Sequence, residues 1–92
     1  MSRLEKVFEG DVVIYHDPTG KPHNALVTAA WGGVTTGALN LAYISDLKTE
    51  TDAYGQQIKR ESSVSHVSVT NVFGRYWRRL SEEPRPMEVT QQ

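Results

Sequence analysis

Residues 10–44 read GDVVIYHDPTGKPHNALVTAAWGGVTTGALNLAYI, and this stretch decides the fold. It holds three short apolar runs, at residues 12–15, 25–31 and 39–44, separated by proline and glycine residues. The separating residues are Pro18, Gly20, Pro22, Gly32, Gly33 and Gly37. Proline cannot donate a hydrogen bond to a sheet, and short runs rich in Val, Tyr and Trp between such residues are typical of strands. The stretch therefore predicts a three-stranded antiparallel meander.

The alternation of side chains assigns a face to most residues of these runs, because successive side chains of a strand point to opposite sides. Residues 12–15 have no polar alternate, so we expect both faces of this strand to be covered. One face of the second strand holds Ala25, Val27, Ala29 and Trp31. The better core face of the third strand holds Leu39, Leu41 and Tyr43.

The rest of the chain is expected to close the meander into a barrel. Residues 46–63 are polar and place Gly55 at the tip of a solvated hairpin, with Ile58 as its only aliphatic anchor. Residues 64–69 resume the strand pattern with Val64 out of phase, which indicates a bulge. A tight turn at residues 71–74 then leads into a last strand at residues 75–80.

These elements predict an all-β fold, a small SH3-like barrel of five or six short antiparallel strands with a polar hairpin excursion and a C-terminal tail. An OB-like barrel or an open two-sheet sandwich has the same periodicity and stays an alternative. The predicted division is a lead-in segment at residues 1–9, the barrel at residues 10–80 and a polar Pro/Glu/Gln tail at residues 81–92.

Composition narrows the classes of function. The chain has 92 residues, no cysteine and a formal net charge of −1. A near-neutral chain has no overall field that would recruit nucleic acid or an anionic membrane. No apolar run approaches the roughly 20 residues of a membrane span. We therefore expect one soluble, unexported domain without disulfides and without a membrane partner.

The residues that suggest chemistry form no recognised catalytic or metal site. His16, Asp17 and His23 flank one proline-containing loop, but their spacing matches no metal-ligand motif. The acidic run at residues 46–52 lacks the ligand pattern of a calcium loop, and His66 has no nucleophile elbow nearby in sequence. We predict a non-enzymatic protein with no catalytic residues, no metal and no cofactor.

The last strand supplies the best candidate binding site. Its residues Arg75, Tyr76, Trp77, Arg78 and Arg79 interleave rings with guanidinium groups. Trp, Tyr and Arg are enriched at protein interfaces, and the same mixture holds single-stranded nucleic acid by stacking and phosphate neutralisation. We place Tyr54, on the polar hairpin, in the same predicted surface. The alternative is a closing strand with Tyr76 or Trp77 inside the barrel and its arginines paired with Glu61, Glu82 or Glu83.

Several of these motifs resemble small proteins encoded by tailed bacteriophages. The similar residues are Gly10-Asp-Val-Val-x-Tyr15, Ala25-Leu-Val-Thr28 with Trp31, Leu39-Asn-Leu41, Ser62-Ser-Val-x-His66 and Tyr76-Trp77-Arg78. Gly10-Asp-Val-Val13 also resembles the opening of KOW-type small barrels. The loop after it departs from that pattern, because Gly20 is followed by Lys-Pro-His-Asn and the usual basic balance is absent.

The phage resemblance implies a non-enzymatic protein-binding module of undefined role. Such a module would be a minor virion or assembly component, or an accessory protein directed at the host, and would be found in the host cytoplasm or the virion. Its partner would be a phage structural protein or a host protein, and a homo-oligomer stays open. The alternative is a nucleic-acid-binding small barrel that uses the cluster of the last strand.

Overall fold

The fold is given by a computed structural model, in which residues 6–69 and 74–84 are described. Within these two ranges the chain forms strands and turns and no helix. The strands are β1 (Val12–His16), β2 (Pro22–Ala29), β3 (Leu39–Ile44), β4 (Thr51–Asp52), β5 (Gly55–Gln56), β6 (Ile58–Val64) and β7 (Tyr76–Arg78). The described ranges thus contain no helix long and apolar enough to cross a membrane.

Five of the strands form one antiparallel sheet in the order β6-β3-β2-β1-β7. Strands β1, β2, β3 and β6 follow one another as a meander, and β7 returns to pair with the free side of β1. Beyond the end of β6, the Val67 amide donates to the Trp77 carbonyl and the Trp77 amide to the Ser65 carbonyl, each at 2.9 Å. The sheet therefore curves into a half-barrel, and the predicted all-β, SH3-like architecture is confirmed.

The loop between β1 and β2 is organised by one carboxylate. Asp17 Oδ1 accepts from the Thr19 amide at 2.9 Å and the Lys21 amide at 3.0 Å, and Oδ2 contacts His23 Nε2 at 2.8 Å. Burial raises the pKa of Asp17, but the hydrogen bonds from His23, Thr19 and Lys21 outweigh it and lower the pKa to about 2. Gly20 has a φ of 91°, a backbone conformation that would be strained for a residue with a side chain. These contacts make His23 and Asp17 parts of the turn.

The core lies on the concave face of the sheet. Leu39 and Leu41 are fully buried, which confirms the core face predicted for the third strand, and Tyr43 is partly buried against the core cluster. The buried residues that form the core cluster are Val7, Val13, Tyr15, Ala25, Val27, Ala30, Leu39, Leu41, Val64 and Trp77. Val7 lies in the predicted lead-in segment and exchanges backbone hydrogen bonds with Val34.

The face predicted for the end of the second strand is wrong at Trp31. The pairing of β2 with β3 shifts register between Val27 and Ala29, so the alternation of faces changes there. Ala30 turns into the core, whereas Trp31 has a φ of 44° and is 65% exposed. The run of apolar letters does not reveal this bulge.

Two other expectations about faces are also wrong. Val12 is 51% exposed, so β1 is covered on its inner face and open on the other at this position. Ile58 belongs to β6 and is 65% exposed, so it does not anchor the polar hairpin. The hairpin itself is present as β4 and β5, with Gly55 just after its tip. The bulge predicted after Val64 is not found there, because β6 ends at Val64 and the register of β3 with β6 shifts earlier, between Glu61 and Val64.

Parts of three predicted segments lie outside the described residues. They are residues 1–5 of the lead-in, residues 71–73 of the tight turn before the last strand, and residues 85–92 of the tail.

Candidate binding surface

Both aromatic rings of strand β7 are buried, although they lie on opposite faces of the sheet. Trp77 is fully buried, and its indole Nε1–H donates to the Gly37 carbonyl at 3.0 Å. Tyr76 is buried against His16, with ring centroids 4.5 Å apart and planes inclined by 7°. A ring that is enclosed in this way cannot stack on a base or enter a partner's pocket. The interpretation of Tyr76 and Trp77 as an exposed binding face is therefore corrected.

The arginines around β7 bond within the chain. Arg75 Nη1 pairs with Glu61 Oε1 at 2.7 Å, and Arg79 Nη1 pairs with Glu82 Oε2 at 3.0 Å. Arg78 Nε–H donates to His16 Nε2 at 3.1 Å. The alternative predicted from the sequence, a closing strand with an inward ring and arginines paired to Glu61 and Glu82, is what the structure shows.

Tyr54 lies away from this strand in the topology. It sits at the turn between β4 and β5, which form their own two-stranded sheet, and it is 98% exposed. The six residues proposed from the sequence, Tyr54, Arg75, Tyr76, Trp77, Arg78 and Arg79, thus do not share one exposed face.

The convex side of the sheet carries an apolar surface that sequence analysis missed. We call it the outer face and define its apolar residues as Val12, Leu26, Ala42, Ile44 and Ile58. Register brings them together, because Val12 faces Leu26, Leu26 faces Ala42, and Ile44 faces Ile58 across neighbouring strands. Leu26 is 48% exposed and Ile44 is 56% exposed. Side chains paired in this way on one face form a continuous patch.

The outer face contains a shallow depression with a volume of about 260 Å³. The five apolar residues line it together with Asn24, Ala25 and Tyr43. Full burial of a Val, Leu or Ile side chain is favourable by about 1.5–3 kcal/mol. A half-exposed side chain of the outer face would therefore contribute on the order of 1 kcal/mol if a partner buried the rest of it. A contiguous exposed apolar patch of this kind is typical of an interaction surface.

The two charged strand residues of the outer face, Arg60 and Arg78, are both cations. Alternation places these strand residues on it: Val12, Ile14, His16, Asn24, Leu26, Ala42, Ile44, Ile58, Arg60, Tyr76 and Arg78. None of them is an aspartate or a glutamate. Arg60 is exposed and has no ion pair among the described residues, and Arg78 bonds to His16 and to backbone carbonyls rather than to a carboxylate.

Another polar group of the fold, around His66, is structural. The Ser68 amide donates to His66 Nδ1 at 3.2 Å, so Nε2–H of the neutral ring donates to Glu82 Oε1 at 2.9 Å. Glu82 Oε1 also accepts from the Arg79 amide at 2.7 Å, which ties the segment after β7 to the core. Burial raises the pKa of Glu82, but the bonds from Arg79 and His66 outweigh it and lower the pKa.

Ser68, His66 and Glu82 are in hydrogen-bond contact, since the Ser68 hydroxyl and the Glu82 carboxylate each lie 2.9 Å from a ring nitrogen of His66. Ser68 is only two positions from His66, and both its amide and its hydroxyl contact the same ring nitrogen. None of the three lines the depression of the outer face. Among residues 6–69 and 74–84, no group of three or more His, Cys, Asp or Glu side chains is arranged to hold a metal ion.

Comparison of the chain with protein-family models, with curated proteins and with solved structures finds no match.

Proposed function

We propose that the chain is a non-enzymatic binding module that docks a partner protein on the outer face of its sheet. The observation that carries this proposal is the register of Val12, Leu26, Ala42, Ile44 and Ile58, which forms an exposed apolar patch across four strands. None of these five residues belongs to the buried core cluster, so the patch is a second apolar surface.

The geometry favours a protein partner over the alternative of a nucleic acid. Nucleic-acid recognition was predicted from rings and arginines on the last strand. Trp77 is buried and Arg75 and Arg79 are paired with carboxylates, which leaves no stacking platform on that strand. An apolar depression offers little to a phosphate backbone, whereas it matches aliphatic and aromatic side chains of a protein.

The biological setting is proposed from the phage resemblance alone. In that setting the module would join a virion or assembly protein, or would bind a host protein. Both roles require a surface that binds a protein without catalysing a reaction. We propose the outer face as that surface.

A selection from a random peptide display library tests the proposed function. We expect the selection to enrich peptides that bind the double variant Leu26→Ser/Ile44→Ser with at least tenfold lower affinity, because both side chains line the depression. Leu47→Ser is the matched control, since Leu47 is 54% exposed but lies outside the outer face. Enriched peptides that bind the double variant and the control equally well would contradict the proposal.

A further inference from the structure

Strand β6 is an edge of the five-stranded sheet, with a neighbour on one side only. The Ser45 amide donates to the Gln57 carbonyl at 2.9 Å, so this pair is hydrogen-bonded toward β3. Hydrogen-bonded and non-bonded pairs alternate along an antiparallel ladder. Ile58 faces Ile44 and Arg60 faces Ala42 at the non-bonded positions, so the N–H and C=O groups of Ile58 and Arg60 point away from the sheet.

This edge continues the apolar patch. The side chain of Ile58 belongs to the outer face, while its backbone faces the open edge. The open stretch is short, because at Ser62 the carbonyl already accepts from Arg75 Nη2 at 3.1 Å. An extended segment laid along Ile58 and Arg60 would satisfy these backbone groups and lengthen the apolar row by one strand.

The charge of the outer face indicates which charged side chains that segment has. Arg60 extends from the edge strand beside the patch without an ion pair among the described residues, and no strand residue of the outer face supplies a carboxylate. Arg78, on the opposite side of the same face, is likewise bonded only to uncharged groups. A partner with Asp or Glu beside its apolar residues would complement both the charge and the apolar surface.

On these grounds, and resting on the function proposed above, we propose that the partner contributes an extended segment that adds to β6. Some side chains of this segment lie on the same side of the sheet as the outer face. Among these, apolar residues alternate with Asp or Glu. Its apolar side chains pack beside Ile58, at the margin of the apolar patch, and its carboxylate pairs with Arg60. A second copy of this chain fits less well, because the outer-face residues of its strands include no carboxylate to meet Arg60.

The enriched peptides of the display selection test this inference through charge reversal. We expect their sequences to alternate apolar residues with Asp or Glu, and we expect Arg60→Glu to weaken their binding about fivefold or more. A peptide whose acidic residue is replaced by Lys should recover binding to the Arg60→Glu variant. Lys48→Glu is the matched control, since it makes the same charge change at an exposed cation outside the outer face and should change binding less than about twofold.

Hydrogen exchange of the bound protein tests strand addition directly. We expect the amides of Ile58 and Arg60 to become protected on peptide binding, because they face the open edge.

Two results would overturn the inference while leaving the proposed function in place. One is unchanged exchange at both amides, and the other is enriched peptides that lack acidic residues and bind the Arg60→Glu variant as well as the wild type. Peptide binding that does not depend on Leu26 and Ile44 would overturn the proposed function itself. A dimer in sedimentation that Leu26→Ser abolishes would assign the face to a second copy and would also overturn the inference.

Discussion

Ile44 on β3 and Ile58 on β6 face each other across two neighbouring strands, and both expose more than half of their surface. Such a pair stabilises the sheet only partly, because the outer side of both side chains remains in water. Beside them, Leu26 and Val12 repeat the same arrangement on β2 and β1. The fold therefore has two apolar faces, of which one is its core and the other is open.

Two leucines on different faces provide a stability test of this arrangement. Leu41→Ala is expected to lower the free energy of unfolding by about 2–5 kcal/mol, because Leu41 is fully buried and its truncation leaves a cavity. Leu26→Ala should lower it by about 1 kcal/mol or less, because Leu26 is already half exposed. Urea denaturation of both variants measures the two values. Equal losses would mean that the two leucines do not lie on different faces.

The two tryptophans should differ in their accessibility to a quencher. In a Trp31→Phe variant the remaining Trp77 is enclosed in the core, so we expect blue-shifted emission and weak quenching by acrylamide. In a Trp77→Phe variant the remaining Trp31 is 65% exposed, so its emission should be red-shifted and strongly quenched. Strong quenching of Trp77 in a folded Trp31→Phe protein would restore the earlier interpretation of Trp77 as a surface residue.

Local alternation predicted the fold well where a strand has one polar and one apolar face. Leu39 and Leu41 are core residues because polar or small neighbours mark the other side of that strand, and the Gly55 hairpin is marked by its polar composition. The faces of Val12 and Trp31 could not be predicted in the same way. A continuous apolar run carries no phase, and a bulge at residues 27–29 changes the phase without any proline or glycine to signal it.

The burial of the rings on the last strand could not be predicted from the sequence for a related reason. Interleaved rings and arginines are typical both of an interface and of a closing strand whose rings point inward. Only tertiary structure shows that Trp77 reaches Gly37 and that Arg75 reaches Glu61. The outer face is assembled from residues of four strands, each with an ordinary exposed aliphatic side chain. No local sequence pattern signals that register joins them into one patch.

The carboxylate of Asp17 should make stability depend on acid pH. Its pKa in the folded protein is about 2, below the value of about 3.9 expected for an unfolded chain. The unfolded state therefore binds the proton more readily, so this contribution is present above about pH 4 and is lost as the pH falls toward 2. We expect the stability difference between the wild type and Asp17→Asn to shrink across this window in denaturation experiments. A difference that stays constant down to pH 2 would contradict this assignment.

Nucleic acid should not bind to the last strand. A fluorescence titration with single- and double-stranded DNA and RNA at low salt is expected to be flat, because the rings of β7 are buried and Arg75 and Arg79 are paired. Binding that weakens steeply with salt and is lost in Arg78→Ala/Arg79→Ala would instead favour the nucleic-acid alternative.

The most direct test of the outer face as a binding surface is amide chemical-shift mapping with a peptide enriched in the display selection. The account predicts that the largest shifts fall on Val12, Leu26, Ala42, Ile44 and Ile58, and that Leu26→Ser/Ile44→Ser removes them while Leu47→Ser does not. Shifts confined to β7 and to Tyr54 at the hairpin tip would contradict it and would return the binding site to the residues first suggested by the sequence.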